Sequence, residues 1–329
     1  NKKYHCNVNL IQIKWYSGLK DKNYNIKQFG AKGDGIRDDT LSIQSALKYD
    51  NIYIPDGTYN ISSELISYNT HITMSSNAIL KAISSINSII SINPNISRKK
   101  FGFIKNGIID CNNLAKKGIA VSNYQYFTVD NVFVKNVIEE GINFGYKNLA
   151  DGDAGGCFIT NTIVWGSDTA DDTGINLQKS NDFTVKSVVL KNCKTGIKTL
   201  GGNIKILNVH GWTTGVDKYH NSKMIACANG RISLSDCVID TYHYGIYGND
   251  QIFISITNLQ YIGIEKYSQA YTPIILYSGA TGTNNSNINL SGLLISANAG
   301  TVQLLNDSLL TQSYNTKLQN YVGIENLPI

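Results

Sequence analysis

The segment FTVDNVFVKNVIEEGI, residues 127–142, carries the pattern that decides the fold, because apolar residues alternate with polar ones until a Gly-Ile pair is reached. Alternation with a period of two predicts a β-strand with one buried face, and a glycine after such a run is typical of a turn. The same pattern recurs in FTVKSVVL, IKILNV, ISLSDCVI and IFISITNL, at residues 183–190, 204–209, 232–239 and 252–259. These segments predict short strands separated by tight turns.

A glycine followed by Ile or Val marks an internal repeat at Gly107, Gly118, Gly141, Gly174, Gly196, Gly215, Gly245 and Gly263. Successive separations are 11, 23, 33, 22, 19, 30 and 18 residues, and the two longest contain polar, glycine-rich segments at 145–156 and 217–230. A strand-rich unit of about twenty residues cannot bury its own apolar face, so such units must stack. We therefore predict an all-β parallel solenoid whose coils rise by about 4.8 Å.

The composition agrees with this prediction. Hydrophobic residues make up 42% and charged residues 16% of the 329 residues, which favours a folded chain. No run approaches the roughly eighteen apolar residues of a membrane span. The spacing of Leu and Asn excludes leucine-rich repeats, and propeller blades need about forty residues each. A β-sandwich with coincidentally spaced glycines stays open as an alternative.

The net charge of +5 comes almost entirely from scattered lysines, since Arg37, Arg98 and Arg231 are the only arginines. Nucleic-acid-binding surfaces usually cluster positive charge and use arginine for bidentate contacts, so we expect no nucleic-acid partner. The six cysteines form no CxxC pair, and no His/Cys spacing matches a zinc site. We expect no metal or other cofactor, and free thiols made in a reducing cytoplasm.

The N-terminal part of the chain differs from the repeat. Residues 39–48 read DTLSIQSALK, and their apolar positions predict an amphipathic helix with Asp39 or Thr40 as its N-cap. Such a helix is expected to cover the open end of a solenoid, whose unpaired strand edge would otherwise promote aggregation. We divide the chain into an N-terminal extension (1–25), a capping segment (26–61), the solenoid coils (62–270) and a C-terminal segment for closure or oligomerisation (271–329).

The segment FGAKGDGIRDDTLSIQSAL at 29–47, followed by YIPDGTY at 53–59, closely resembles the opening of the pectate-lyase-like β-helix family. The resemblance is specific over residues 26–61, and the repeat extends it to about residue 268. Bacteriophage tailspikes and capsule depolymerases commonly begin in this way. The resemblance implies a single-stranded right-handed parallel β-helix that acts on a polysaccharide, often as a homotrimer in phage.

Residues at one offset from each repeat glycine should form a column along the solenoid. Two positions before the glycine, the column reads Glu139, Asp172, Lys194, Thr213, His243 and Tyr261, so we expect it to face water. Glu139 and Asp172 would lie in adjacent coils about 5 Å apart. Two neighbouring carboxylates do not ionise independently, so such a pair suits one general acid and one base. A solvated ladder of charges is the alternative interpretation.

A second column, two positions after the glycine, reads Asn143, Asn176, Lys198, Asp217, Tyr247 and Glu265. It should line the same face or the adjacent one, and Asp217 is also a candidate for catalysis. Aromatic rings at Tyr124, Tyr126, Trp165, Trp212, Tyr242, Tyr244 and Tyr247 could stack on sugars or serve only in packing. The substrate-binding candidates are Lys194, Asn143, Asn176, Lys198, Asp217, His243, Tyr247, Trp165 and Trp212.

The densest acidic segment, SDTADDTGINL at 167–177, is similar to the paired-aspartate coil of polygalacturonase-type glycoside hydrolases. This similarity implies Asp171 and Asp172 as the catalytic pair. The chain departs from that family at 194–196, where KTG stands in place of GHG, and at 231–233, where RIS stands in place of RIK. An Asn-Thr-Asp motif is also missing, so the substrate and the individual roles stay open.

These observations predict a glycoside hydrolase of a bacterial capsular polysaccharide or exopolysaccharide, since such hydrolysis uses two carboxyl groups. Its catalytic candidates are Glu139, Asp171 and Asp172, followed by Asp168 and Glu140. Two alternatives stay open: β-elimination with Lys194, His243 or Tyr244 as the base, and a non-catalytic carbohydrate-binding spike. We expect a polysaccharide partner, no membrane span, synthesis in a bacterial cytoplasm and a final location outside the cell or at the virion surface.

Overall fold

The computed structural model describes residues 23–68, 71–93, 99–145, 154–168, 170–178, 180–214, 220–263, 272–277, 287–297 and 304–306. Within these ranges the strands pair in parallel and stack coil upon coil, so the predicted parallel β-helix is confirmed. Each coil contributes strands to three ladders, which we number in the order used below. Among the described residues, no helix is long and apolar enough to cross a membrane.

The first ladder holds most of the residues considered as functional. Its strands are Leu65–Ser67, Ile86–Ile92, Ala115–Ser122, Glu140–Gly145, Thr173–Leu177, Thr195–Thr199, the beginnings of Lys223–Asp240 and Tyr244–Gly263, Thr272–Tyr277 and Leu304–Asn306.

The second ladder follows the first along the chain. Its strands are Tyr24–Asn25, Asn51–Ile54, His71–Met74, Lys99–Lys105, Tyr124–Asp130, Ala154–Gly155, Phe158–Thr160, Ser180–Asn181, Phe183–Lys186, Asn203–Leu207, the middle parts of the two long strands and the beginning of Asn287–Ala297.

The third ladder completes each coil. Its strands are Asp34–Asp38, Gly57–Ile61, Ala78–Ala82, Ile108–Asp110, Phe133–Val137, Ile163–Gly166, Val189–Lys191, His210–Trp212 and the ends of Lys223–Asp240, Tyr244–Gly263 and Asn287–Ala297.

The core is built from like residues stacked between coils. On the first ladder, one fully buried column consists of Ile119, Ile142, Ile175, Ile197, Ile225 and Ile246. This is the buried half of the alternation seen in the sequence. Five of the six cysteines lie in the described part, where they are buried free thiols. Burial raises the pKa of Cys157 to about 11 and that of Cys227 to about 12, so both stay protonated at neutral pH.

The repeat glycines are needed where neighbouring coils approach closely. A Cβ added to Gly141 would lie 2.5 Å from Val164 Cγ1 and 2.6 Å from the Gly174 carbonyl oxygen. Gly118, Gly141, Gly174 and Gly196 occupy equivalent places, and Met224 takes the next one, opposite Gly245. The proposed repeat is therefore wrong at Gly107 and Gly263, which belong to the turn before the third ladder and to the third ladder itself. Gly215 lies outside the described residues.

Left-handed turn positions between strands are occupied mostly by asparagine. Asparagine tolerates a positive φ because its short side chain can hydrogen-bond locally. The asparagines with φ between 47° and 62° are Asn93, Asn106, Asn112, Asn113, Asn123, Asn131, Asn136, Asn161, Asn192, Asn208, Asn221, Asn229 and Asn258. This preference explains much of the asparagine in the sequence.

The N-terminal segment contains a 3-10 helix, Ile26–Phe29, and an α-helix, Thr40–Ala46, which is shorter than the predicted 39–48. Asp39 makes no capping bond with its side chain. Its carboxylate instead accepts hydrogen bonds from the backbone N–H groups of Lys32 and Gly33 at 2.6 and 3.0 Å, while Asp38 accepts one from the N–H of Thr40. The covering role of this helix and the four-part division of the chain stay predictions.

Candidate functional site

The acidic residues singled out in the sequence lie where the chain passes from the third ladder to the first. We call Glu139, Asp168, Asp171 and Asp172 the acidic corner. Glu140 pairs with Thr173 and Thr173 with Thr195, so Glu139, Asp172 and Lys194 occupy one column in successive coils. The backbone N–H of Thr173 donates to the Glu139 carbonyl at 2.7 Å. The structure thus brings Glu139 next to the coil of Asp171 and Asp172.

Glu139 and Asp171 are accessible carboxylates in adjacent coils of this corner, each close to a lysine. Their side chains are 49% and 88% exposed, respectively. Glu139 Oε1 lies 3.1 Å from Lys116 Nζ, and Asp171 Oδ1 lies 3.7 Å from Lys194 Nζ. Each carboxylate therefore has an ammonium group beside it and remains open to a large ligand.

Asp172 is different, and the prediction that its column faces water is wrong at this position. The residue is 1% exposed. Its Oδ2 accepts a hydrogen bond from the backbone N–H of Ser167, and its Oδ1 accepts one from that of Lys194, both at 2.8 Å. A buried carboxylate that accepts from backbone amides of two coils ties the turn between them, and the Ser167 N–H is shared with the Val137 carbonyl at 2.8 Å. Asp172 is therefore held inside the turn, and its catalytic role stays a prediction.

The two reserve candidates are also held by neighbours. Asp168 is exposed but accepts a hydrogen bond from the Asn192 amide in the next coil. Glu140 is largely buried, with Lys117 Nζ at 2.9 Å and amide hydrogen bonds from Asn143 and Asn176. The two asparagines are themselves buried. They orient Glu140 instead of facing water as the second column predicted.

Three lysines form a cationic patch beside the acidic corner: Lys194, Lys198 and Lys223. Thr195 pairs with Lys223, so this patch spans two adjacent coils of the first ladder. Burial and then the charges of Lys198 and Lys194 lower the pKa of Lys223. The patch is therefore suited to a group that brings negative charge.

An aromatic cluster continues this face in the next coil. The rings of His243 and Tyr244 stack with centroids 4.2 Å apart, and Lys223 Nζ lies 4.1 Å from the Tyr247 ring centroid. The backbone N–H of Asn221 donates to His243 Nδ1, which leaves the proton of the neutral ring on Nε2. Burial, followed by His220 and Lys194, lowers the pKa of His243. The neutral ring is therefore a hydrogen-bond donor at Nε2.

Other candidates do not join this face. Trp165 and Trp212 lie on the third ladder, where Lys191 pairs with both and its Nζ lies 3.6 Å over the Trp165 ring. Tyr124, Tyr242 and Tyr261 are buried, and so is Thr213, which directly follows the third-ladder strand His210–Trp212 and donates a hydrogen bond to the Thr241 carbonyl. Asp217 lies outside the described residues, and Ala226 follows Lys198 in its predicted column.

Comparison with known proteins identifies the family of this chain. A family model described as "Rhamnogalacturonase A/epimerase, pectate lyase-like" matches residues 23–217, which is more than half of the 329 residues. The chain belongs to this pectate lyase-like family. The resemblance seen in residues 29–59 is thereby confirmed. No curated protein sequence matches the chain.

Solved structures of similar fold include carbohydrate-active and phage proteins. The enzymatically active domain of bacteriophage CBA120 tailspike protein 2 has a TM-score of 0.67 at 14% identity, covering 88% of this chain and 47% of that one. The family 28 exopolygalacturonase of Yersinia enterocolitica gives 0.62 at 12% identity, covering 93% and 78%. The tailspike of Acinetobacter phage vb_AbaP_AS12 gives 0.59 at 13%, covering 83% and 51%. The chain thus spans about half of each tailspike, and these likenesses establish the fold.

Sequence reasoning missed three lysines of this pectate lyase-like chain. Lys116 stands two positions before Gly118, so the offset that gave Glu139 and Asp172 could also have found it. Lys117 follows Lys116 in the chain and lies opposite Glu140 in the strand pairing between the two coils. Lys223 could not be found by that rule, because Met224 replaces the repeat glycine after it.

Replacing Lys223 with Met is expected to change the pH dependence of stability. Since the folded-state pKa of Lys223 is lowered, charging this side chain disfavours the folded chain at neutral pH. As pH rises from the folded-state pKa to the ordinary lysine value, this penalty disappears and the wild-type protein gains stability relative to the variant. Thermal unfolding of both proteins over an alkaline pH series measures the difference.

The matched control is Lys205→Met, at an exposed position of the second ladder. Its unfolding temperature should keep a constant difference from wild type across the same series. A Lys223→Met difference that is equally insensitive to pH would contradict the cationic patch.

Proposed function

We propose that this chain hydrolyses an acidic polysaccharide at the acidic corner, with Glu139 and Asp171 as the reacting carboxyl groups. The observation that carries the proposal is the pair of exposed carboxylates in adjacent coils, each with a lysine beside it. Glycoside hydrolysis needs one carboxyl group that donates a proton to the leaving oxygen and a second that activates water or attacks the sugar. The corner offers both on a surface open to a long polymer.

The rest of the first-ladder face would hold the sugar chain. Lys194, Lys198 and Lys223 would pair with carboxylates of an acidic substrate, since charge-assisted hydrogen bonds are the strong ones. Tyr244 and Tyr247 would pack against sugar rings, and His243 would donate from Nε2. Asp172 holds the turn, and Asp168 and Glu140 remain second choices for the reacting pair.

Family membership and the fold support action on a polysaccharide. The proteins of similar fold include an exopolygalacturonase and two phage tailspikes, one of them represented by its enzymatically active domain. We extend the proposal to a depolymerase of capsular polysaccharide or exopolysaccharide that forms a homotrimer at the virion surface. The chain spans about half the length of those tailspikes. This extended proposal therefore refers to the activity and assembly of a whole protein and not of this chain alone.

β-Elimination is the second candidate, favoured by one observation. The lowered pKa of Lys223 makes a neutral amine more accessible there, and such an amine could remove the proton next to a uronate carboxylate. Lys194 and Lys198 would then neutralise the carboxylate. The leaving sugar oxygen would take a proton, and the other product would carry a carbon–carbon double bond.

The experiment is incubation of the protein with a panel of purified bacterial capsular polysaccharides and plant polysaccharides, followed by mass spectrometry of the products. Hydrolysis adds the mass of one water for each cleaved bond and creates no ultraviolet-absorbing double bond. Shortened products without added water would replace hydrolysis by elimination. Polysaccharides that bind but keep their length would make the chain a binding spike and reject both enzymatic readings.

A further inference from the structure

Two exposed aromatic side chains form a stacked pair on the second ladder, away from the acidic corner. Phe101 and Tyr126 are 66% and 47% exposed. Their ring centroids lie 5.2 Å apart with an interplanar angle of 19°. They align in adjacent coils, between the pairs Gln125–Lys100 and Phe127–Gly102. Large aromatic side chains exposed side by side are unusual for a surface that only faces water.

The backbone at both residues is strained. Phe101 has φ of 58° and Tyr126 has φ of 59°. A bulky residue in this left-handed region is a genuine outlier, whereas asparagine and glycine adopt it readily. Most comparable turn positions of this chain carry asparagine, so aromatics are not required here by the fold. Strain at an exposed position points to a function that the ring performs.

In the next coil, the described residue that aligns with Tyr126 is a glycine. Gly156 aligns with Tyr126, and a Cβ at Gly156 would lie 2.6 Å from Tyr126 Cδ1. Any other residue would therefore displace the ring. The same column continues with exposed Asp182 and Asn203, which are hydrogen-bonded to each other at 3.2 Å. An aromatic surface is thus followed, about 10 Å along the axis, by polar groups.

We propose that Phe101 and Tyr126 form a second glycan-binding platform, separate from the acidic corner. The C–H face of a pyranose ring would pack against the exposed parts of the Phe101 and Tyr126 rings, and Asp182 and Asn203 would bond hydroxyl groups of the following sugars. The platform lies just beyond the end of strand Ala115–Ser122, whereas Glu139 immediately precedes the neighbouring strand Glu140–Gly145. The two sites therefore flank opposite ends of the first-ladder strands. This inference rests on the proposed function only for the class of ligand.

The test uses asparagine, the residue that the chain itself places at left-handed turns. Phe101→Asn and Tyr126→Asn should keep or raise the unfolding temperature, because they relieve backbone strain. Both should weaken polysaccharide binding about tenfold, the usual scale for loss of an aromatic anchor. Binding is measured by electrophoresis through gels containing polygalacturonate, alginate, hyaluronate or dextran, with unfolding temperatures determined in parallel.

Phe158→Thr is the matched control, because Phe158 is exposed on the same ladder and lies between Thr128 and Thr184 in its column. It removes an exposed aromatic ring outside the platform and should migrate as wild type. Loss of retardation in the two asparagine variants alone supports the platform. The platform proposal is overturned if the two asparagine variants are retarded as wild type or if their only change is a lower unfolding temperature. It is also overturned if no gel retards the wild-type protein.

Failure of the platform and failure of the proposed function are distinguishable. Glu139→Gln should retain binding in the gels while losing cleavage, whereas the platform variants should lose binding to long polymers. If the wild-type protein binds but cleaves nothing, the hydrolase proposal fails and the platform stands. If the wild-type protein cleaves and the asparagine variants bind normally, the platform alone is rejected.

Discussion

Replacing Glu139 with Gln is expected to slow polysaccharide cleavage by about 10²- to 10⁴-fold, the range typical of a lost general acid or base. The folded structure should survive, because this half-exposed side chain makes an ion pair with Lys116 and exposed pairs contribute about 0–1 kcal/mol. The rate is measured from new reducing ends on a polysaccharide that the wild-type protein shortens. Thermal unfolding of the same samples checks the fold.

Asp171→Asn should have an effect of similar size, and the double variant should be little slower than either single one, because groups acting as a unit are not additive. Asp50→Asn makes the same chemical change at an exposed position before strand Asn51–Ile54 and should cleave as wild type. Wild-type rates for Glu139→Gln and Asp171→Asn would remove the reaction from these carboxyl groups. Asp168 and Glu140 would then be tested in the same way.

Replacing Asp172 with Ala is expected to destabilise the protein strongly. It removes the hydrogen bonds that the carboxylate accepts from the N–H groups of Ser167 and Lys194, and bonds to charged groups contribute about 1.5–3 kcal/mol each, although the Ser167 N–H keeps its bond to the Val137 carbonyl. The midpoint of thermal or denaturant unfolding should fall well below that of Glu139→Gln. Cleavage should fall as well, because the turn that carries Asp171 loses its anchor.

Asp172→Asn sharpens this test. An amide has only one acceptor oxygen, and its NH₂ group would face a backbone donor, so this variant should also unfold more easily. Retention of wild-type stability together with loss of cleavage would show that Asp172 takes part in the reaction itself. If Asp172→Asn lowers the unfolding midpoint but the protein that stays folded cleaves at the wild-type rate, the role of Asp172 is to hold the turn.

The fold was accessible from the sequence because its two determinants are local. Alternation of apolar residues, as in 127–134, follows directly from a strand with one buried face. The equivalence of Gly118, Gly141, Gly174 and Gly196 follows from close approach between coils, which excludes any side chain. The opening motif at residues 29–59 added the family.

The site was only partly accessible, because it depends on coil lengths and side-chain direction. Equal spacing from glycine aligned Glu139, Asp172 and Lys194, but the rule fails once Met224 replaces the glycine, so Thr213 and Tyr261 were misplaced. Burial of Asp172 was hidden as well, since its partners are backbone amides that any residue type could supply. Trp165 and Trp212 were assigned to the wrong face because their strands belong to another ladder.

The parallel ladders also influence how fast this chain folds and how it unfolds. Each strand is hydrogen-bonded to a strand one full coil away, as Ile142 pairs with Ile119 and Ile175. A new coil can therefore form its ladder bonds only after the neighbouring coil has folded. Such non-local pairing makes folding slow. Because an inner coil is bonded to a coil on each side, we expect unfolding to begin at an end of the stack, where a coil has a neighbour on one side only.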